Sequence, residues 1–192
     1  MTEAKPKLAG SLVRRPLLAV ALAASAVAPA PAMAAYDVFL KLDNLVGEST
    51  NDKFAKWIQL FSYATGFQAA GVVRSAAAAG KTTCSPIEAT KSVDRSSPPL
   101  LTAVMTGQHF QKAEIDFVRS SENGGVFLKY ELQDVIVSSL QQAGAAGGES
   151  APAESVSLSF GKMTVSYYPQ KADGSRGDPV VASVNCALPA VQ

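Results

Sequence analysis

The stretch Asp94-Arg95-Ser96-Ser97-Pro98-Pro99-Leu100-Leu101-Thr102-Ala103-Val104-Met105-Thr106-Gly107-Gln108-His109-Phe110 carries the one convincing helix pattern in the chain. Ser96 and Ser97 offer hydroxyls that can cap free helix amides, and Pro98 and Pro99 fall in the first turn, where a missing N–H costs little. Leu100, Leu101, Val104 and Met105 form an apolar stripe at helical spacing, and Gly107 stops it. The spacing predicts a helix of about two to three turns. The fold class then rests on what flanks it.

Outward from this helix the sequence reads as strands. Val38, Leu40 and Leu42 alternate with Phe39, Lys41 and Asp43, a period of two. Residues 44–52 are turn-rich. Trp57, Gln59, Phe61 and Tyr63 alternate with Ile58, Leu60 and Ser62, a second strand that Gly66 ends. Residues 67–74 begin a third, 75–81 read as an Ala/Gly loop, and 82–93 as an extended segment broken by Pro86. Beyond the helix come strands over 112–119, 125–140, 155–168 and 179–186. Their connections are 120–124, where Asn123-Gly124 tolerates positive φ; the small-residue loop 141–154, expected to be mobile; and 170–178. Many strands with one short flanking helix predict a mainly β barrel or sandwich.

The chain has 192 residues, enough for one domain with a real core. Its 17 basic and 16 acidic side chains are unevenly spread: the first 34 residues hold four basic groups and one acid, leaving 13 against 15. A body so balanced lacks the clustered Lys and Arg that bind phosphate backbones, which excludes nucleic acid as a partner. Residues 1–34 read as an export signal: Lys5, Lys7, Arg14 and Arg15, then an apolar run from Leu17 to Ala28 of about a dozen residues, then Ala32-Met33-Ala34, with cleavage between Ala34 and Ala35. Pro29 and Pro31 arrive too early for a transmembrane helix, so stable membrane insertion is not expected. Arg14-Arg15 resembles a twin-arginine signal, with the general secretory route equally open. Residues 35–192 then form the folded domain, secreted or periplasmic. A start at Met33 would instead make a cytoplasmic protein.

Cys84 and Cys186 are too far apart in sequence for a CxxC redox motif or a four-cysteine zinc site. Two buried thiols and a single disulfide both remain open, depending on compartment. His109, the only histidine, reads as a turn residue bonded to backbone, since no GxSxG elbow supplies a nucleophile. Glu114 and Asp116 alternate on one strand face as a glycosidase pair would, but read more simply as solvated acids. No phosphate cradle, HExxH or EF-hand loop occurs. The residues therefore nominate no catalytic, cofactor-binding or metal site.

Several stretches, taken in order, resemble one family. They are Val46-Gly47-Glu48-Ser49 after the first strand; Asp94 to Leu100 leading into the helix; Thr106-Gly107-Gln108-His109-Phe110 after it; and Tyr130-Glu131-Leu132-Gln133-Asp134-Val135-Ile136-Val137-Ser138-Ser139. Val156-Ser157-Leu158-Ser159-Phe160-Gly161-Lys162-Met163 and Tyr167-Tyr168-Pro169-Gln170-Lys171-Ala172-Asp173-Gly174 complete the series. Together they resemble the Hcp family, the haemolysin-coregulated proteins that form the inner tube of type VI secretion systems. One departure is that 61–66 holds only Phe and Tyr where the family often carries a tryptophan-rich run.

The resemblance implies a compact β-barrel with one flanking helix. It also implies a non-enzymatic subunit that closes with itself into a homohexameric ring, stacks into a tube and carries small effector proteins, alongside other type VI components. Glu48 and Ser49, with the 141–154 loop, are the candidate contacts between subunits or rings. An exported monomeric β-domain, acting as a binding module or effector on the same fold, is the alternative.

Overall fold

The computed structural model describes residues 35–68, 83–120, 125–147 and 151–186. The expected export signal lies outside them, as do most of the 67–74 strand, the 75–81 loop and the 120–124 turn. In chain order the elements are β1 (Tyr36–Leu42), β2 (Ile58–Leu60), β3 (Ser62–Ala64), β4 (Phe67–Gln68), β5 (Thr83–Cys84), β6 (Ile87–Ser92), α1 (Ser97–Thr106), β7 (His109–Arg119), β8 (Val126–Ala143), β9 (Ala153–Tyr167) and β10 (Val180–Asn185). The fold is mainly β, as the alternation predicts.

Every strand pairing is antiparallel, and the main sheet runs β2-β1-β7-β8-β9-β6-β3, with β10 also on β9. The two ends of that order, β2 and β3, are consecutive in the chain. Phe61 joins them, its N–H donating to the Thr90 carbonyl of β6. The single strand expected over 57–63 is therefore two short ones, which pair in turn with β1 and β6 and bring the sheet round into a barrel. Closure leaves no long bare edge in the ring of strands, which a flat sheet of this length would have.

The interior is packed by Val38, Leu40 and Leu42 of β1, Ile58 and Leu60 of β2, Ala113, Ile115 and Phe117 of β7, and Leu132, Met163 and their neighbours on β8 and β9. Tyr63 and Tyr130 meet Phe117 edge-on at centroid distances of 4.6 and 5.0 Å. A smaller cluster lies on the outer face of β1, where Phe54 stacks on Phe39 at 4.6 Å and Trp57 meets Phe54 edge-on. The 44–57 segment is thus pinned across β1. Gly47 is required there: a Cβ on it would fall 2.4 Å from the Trp57 carbonyl oxygen, inside any permitted contact.

A crease crosses three strands. On β7 the buried core residues step from Phe110 to Ala113, on β8 from Leu132 to Val135, and on β9 from Phe160 to Met163. Each step is three residues where strict alternation gives two. At the crease Asp134 has φ 55, and Gly161 faces it; a Cβ on Gly161 would come 3.1 Å from the Asp134 Cβ. Asp43, the residue just after β1, closes the same line, its carboxylate accepting the backbone N–H groups of Gln111 and Lys112 at 2.8 and 3.0 Å.

The helix departs from expectation at its start and on its face. The Ser97 hydroxyl accepts the Asp94 N–H and donates to Glu154, and the Ser96 hydroxyl donates to Asp94, so neither serine caps the helix amides. With Pro98 and Pro99 removing two donors, there is less to cap. Leu100 and Ala103 are the buried apolar positions, while Leu101 and Met105 of the expected stripe face outward. Gly107, at φ 63, ends the helix as predicted.

Beneath α1 lies a buried ion pair that strand and helix patterning does not reveal. Lys91 on β6 and Glu154 on β9 sit opposite one another on the core face, 2.6 Å apart, both almost fully buried. The Lys91 ammonium also reaches Asp94, Ser97 and the Ser92 carbonyl, and Gln142 donates to the other Glu154 oxygen. Burial pushes the Glu154 carboxyl up, but the hydrogen bonds from Lys91, Ser97 and Gln142 outweigh it and hold it below the usual carboxylate value. A buried pair adds little over an apolar substitute, yet losing one partner strands the other's charge. Lys91→Met should therefore destabilise by about 3–5 kcal/mol, whereas Lys91→Met with Glu154→Leu should recover most of that. Urea unfolding followed by Trp57 fluorescence measures both, and a single-variant loss under about 1 kcal/mol would sink the account.

Candidate association surface

The described residues gather no group of three or more His, Cys, Asp or Glu that could hold a metal ion. His109 opens β7 as an exposed strand residue and does not lie in a turn. It lines a shallow surface depression with Lys41, Asp43, Gln111, Lys112 and Glu114. No hydroxyl or thiol nucleophile lies among those residues, so the arrangement offers no acyl-transfer chemistry.

Glu114 and Asp116 are not the solvated acids expected. On the outer face of β7 and β8, Lys112 bridges Glu131 at 2.9 Å and Glu114 at 3.4 Å, while Lys129 holds Glu114 at 2.5 Å and stands 3.6 Å from Asp116. Asp116 is buried beside Phe39, its register partner on β1, and its Oδ1 makes no hydrogen bond. Burial pushes its carboxyl up to about 6, against the pull of Lys129. Glu114 is also pushed up by burial, but the Lys129 hydrogen bond and charge carry it below the usual value. The pair serves the packing of the sheet's outer face.

The features suited to association are apolar side chains left in solvent. At one end of the barrel, β10 pairs only with β9, and its Val180 and Val181 are 68% and 55% exposed. Tyr36 and Tyr167 lie exposed at that same end. At the other end α1, which carries no charged residue, presents Leu101 and Met105, the latter 78% exposed. Val46 is exposed on the 44–57 segment. Exposed apolar patches of this kind mark interaction surfaces.

Of the contacts nominated from sequence, Glu48 is on the surface, 3.6 Å from Arg95 in an exposed ion pair. Ser49 is buried, and its hydroxyl accepts the Asn51 N–H within its own loop, so its side chain is not free to reach a neighbour. The 141–154 loop is shorter than expected, because β8 runs to Ala143 and β9 begins at Ala153. Sequence reasoning missed β10 as an edge, since strand pairing cannot be read from one strand's own pattern.

The family model described as type VI secretion system effector, Hcp, matches residues 39–167. Protein hcp1 of Pseudomonas aeruginosa is 34% identical over 150 residues, spanning 76% of this chain and 92% of that protein. The chain belongs to the Hcp family. Among solved structures, a type six secretion system protein superposes with a TM-score of 0.72 at 32% identity, covering 79% of this chain and 96% of its own. Hcp1 from Salmonella typhimurium gives a TM-score of 0.66 at 28% identity, covering 79% and 95%. Membership makes this Hcp chain a tube protein of the type VI secretion system, a secreted protein from a family of structural, ring-forming components.

The buried acid gives this Hcp barrel a pH signature. Asp116 binds its proton more tightly folded, at about 6, than at the reference value of 3.8, so its ionisation costs stability as pH rises through 6. Glu114 and Glu154, whose carboxyls lie below the reference 4.5, act oppositely: their contribution is present above that value and lost as pH falls through the folded pKa. Asp116→Asn should raise the melting temperature at pH 8, with the difference from the parent shrinking towards pH 4. Equal melting temperatures at pH 8 would contradict the assignment.

Proposed function

We propose that this Hcp chain associates head to tail into a closed homohexameric ring, that the rings stack into a tube segment, and that the lumen carries small effector proteins. The observation that carries the reading is β10, an uncovered edge strand on an otherwise closed barrel, with Val180 and Val181 in solvent. An edge with free backbone groups and apolar side chains is suited to pairing with another chain. A heterologous contact between this edge and a different surface of the next copy closes a ring when the rotation permits. The exposed α1 ridge at the opposite end supports contact between stacked rings, and Glu48 lies on the surface near that end. Other type VI components would meet the ends of such a stack.

The reading extends to export. Residues 1–34 carry the three parts of a signal in order, so the proposed mature chain begins at Ala35 and reaches an oxidising compartment, where a Cys84–Cys186 bond persists. Amino-terminal sequencing of the protein from its native cell checks this. Ala35 at the terminus supports cleavage, while Met33 or Ala34 would make it a cytoplasmic tube subunit secreted only by the type VI machinery.

For the ring, sedimentation velocity and electron microscopy should show six-subunit particles, and Val180→Glu should leave single subunits with unchanged circular dichroism. A parent chain that stays monomeric at every concentration, with no rings in the images, would favour the exported binding module instead.

A further inference from the structure

One edge of β9 is covered by two strands laid end to end. β6 pairs with it from Ala153 to Leu158, and β10 pairs with it from Lys162 to Tyr167. Between them, at the crease, the Cys186 N–H donates to the Gly161 carbonyl. There the structure joins Cys186 to Cys84, with Cα atoms 5.7 Å apart. That separation is ordinary for a disulfide. Cys84 lies just before β6, so the bond links the two strands that share the edge.

The two strands are held very differently without it. β6 is a member of the closed ring of strands, paired on both sides, and contributes Ile87 and Ala89 to the core. β10 lies off that ring and has one neighbour; among its residues only Val184 is even half-buried. An edge strand with one ladder and almost no buried side chains sits at the low end of local stability.

We propose that the Cys84–Cys186 bond is a redox clasp that decides whether β10 stays on the barrel. Oxidised, it anchors the end of β10 beside β6, and β9 is covered along both segments. Reduced, β10 frays from β9, baring the Lys162–Tyr167 edge and removing the outer edge that β10 offers, while the barrel stays closed. Both sulfurs belong to half-buried residues, within reach of small thiols and redox proteins.

The bond forms by thiol–disulfide exchange with an oxidised dithiol protein. One thiolate of this chain attacks the oxidant's disulfide and displaces one of its sulfurs. The second thiolate then attacks the mixed disulfide and displaces the other. Two protons leave the cysteines, two electrons pass to the oxidant, and it departs as a dithiol.

Hydrogen exchange read by mass spectrometry tests the clasp on the chain as purified, diluted until sedimentation shows single subunits. Three samples are compared: oxidised, reduced with a phosphine, and the Cys84→Ser/Cys186→Ser variant. Reduction and the double variant should each speed exchange over Val180–Asn185 at least tenfold, with His109–Arg119 unchanged. Equal protection of β10 in all three samples overturns the proposal. So does a uniform acceleration that includes β7, which would make the bond a staple of the whole fold. The proposal stands apart from the ring reading: absence of rings in concentrated oxidised samples defeats that reading and leaves the clasp intact.

Discussion

A closed antiparallel barrel needs each strand to find a partner on both sides, and here one seven-residue segment meets that need twice. Ile58–Leu60 completes β1 and Ser62–Ala64 completes β6, with exposed Phe61 as the pivot between them. Everything inside depends on this join. Were the segment to pair with only one of its neighbours, β1 and β6 would each present a bare edge, and the Phe117, Tyr63 and Tyr130 cluster would open to water. Residues on both sides hold the join in place: Gly47 lets the chain approach the Trp57 carbonyl, and Phe54 locks the preceding segment onto Phe39.

The second organising feature is electrostatic. Lys91 and Glu154 take a position where apolar side chains would pack, and in exchange tie β6, β9 and the start of α1 to one point. A buried, fully hydrogen-bonded pair specifies geometry more than it stabilises. It fixes the helix by its first turn, which leaves the rest of α1 free to lie with Leu101 and Met105 outward.

Alternation along β1, and along β7, β8 and β9 on either side of the crease, was legible because the side chains that fill the barrel interior recur at every second position. The Hcp resemblance added the expectation that these strands form a compact barrel with one flanking helix. Three things were hidden. The join at Phe61 looks in sequence like one continuous strand, since both of its halves alternate. The crease shifts the phase of β7, β8 and β9 together, so each strand reads well on either side of it and poorly across it. Lys91 fell within the expected extended segment 82–93 and Glu154 at the end of the expected 141–154 loop, and their pairing was hidden because burial of a charge depends on a partner 63 residues away. Ser49 was misplaced for the same reason: a polar residue in a turn-rich segment looks exposed until its loop is seen folded over β1.

The two cysteines also set an order of events in synthesis. Cys84 leaves the ribosome 102 residues before Cys186, and β6 through β10 all lie between them. The bond cannot close until the last strand has emerged, by which time every element of the closed ring is available to pair. Oxidation therefore seals a structure that the chain must first reach with both thiols free. A protein made this way can complete its barrel in a reducing compartment and receive its covalent link in another.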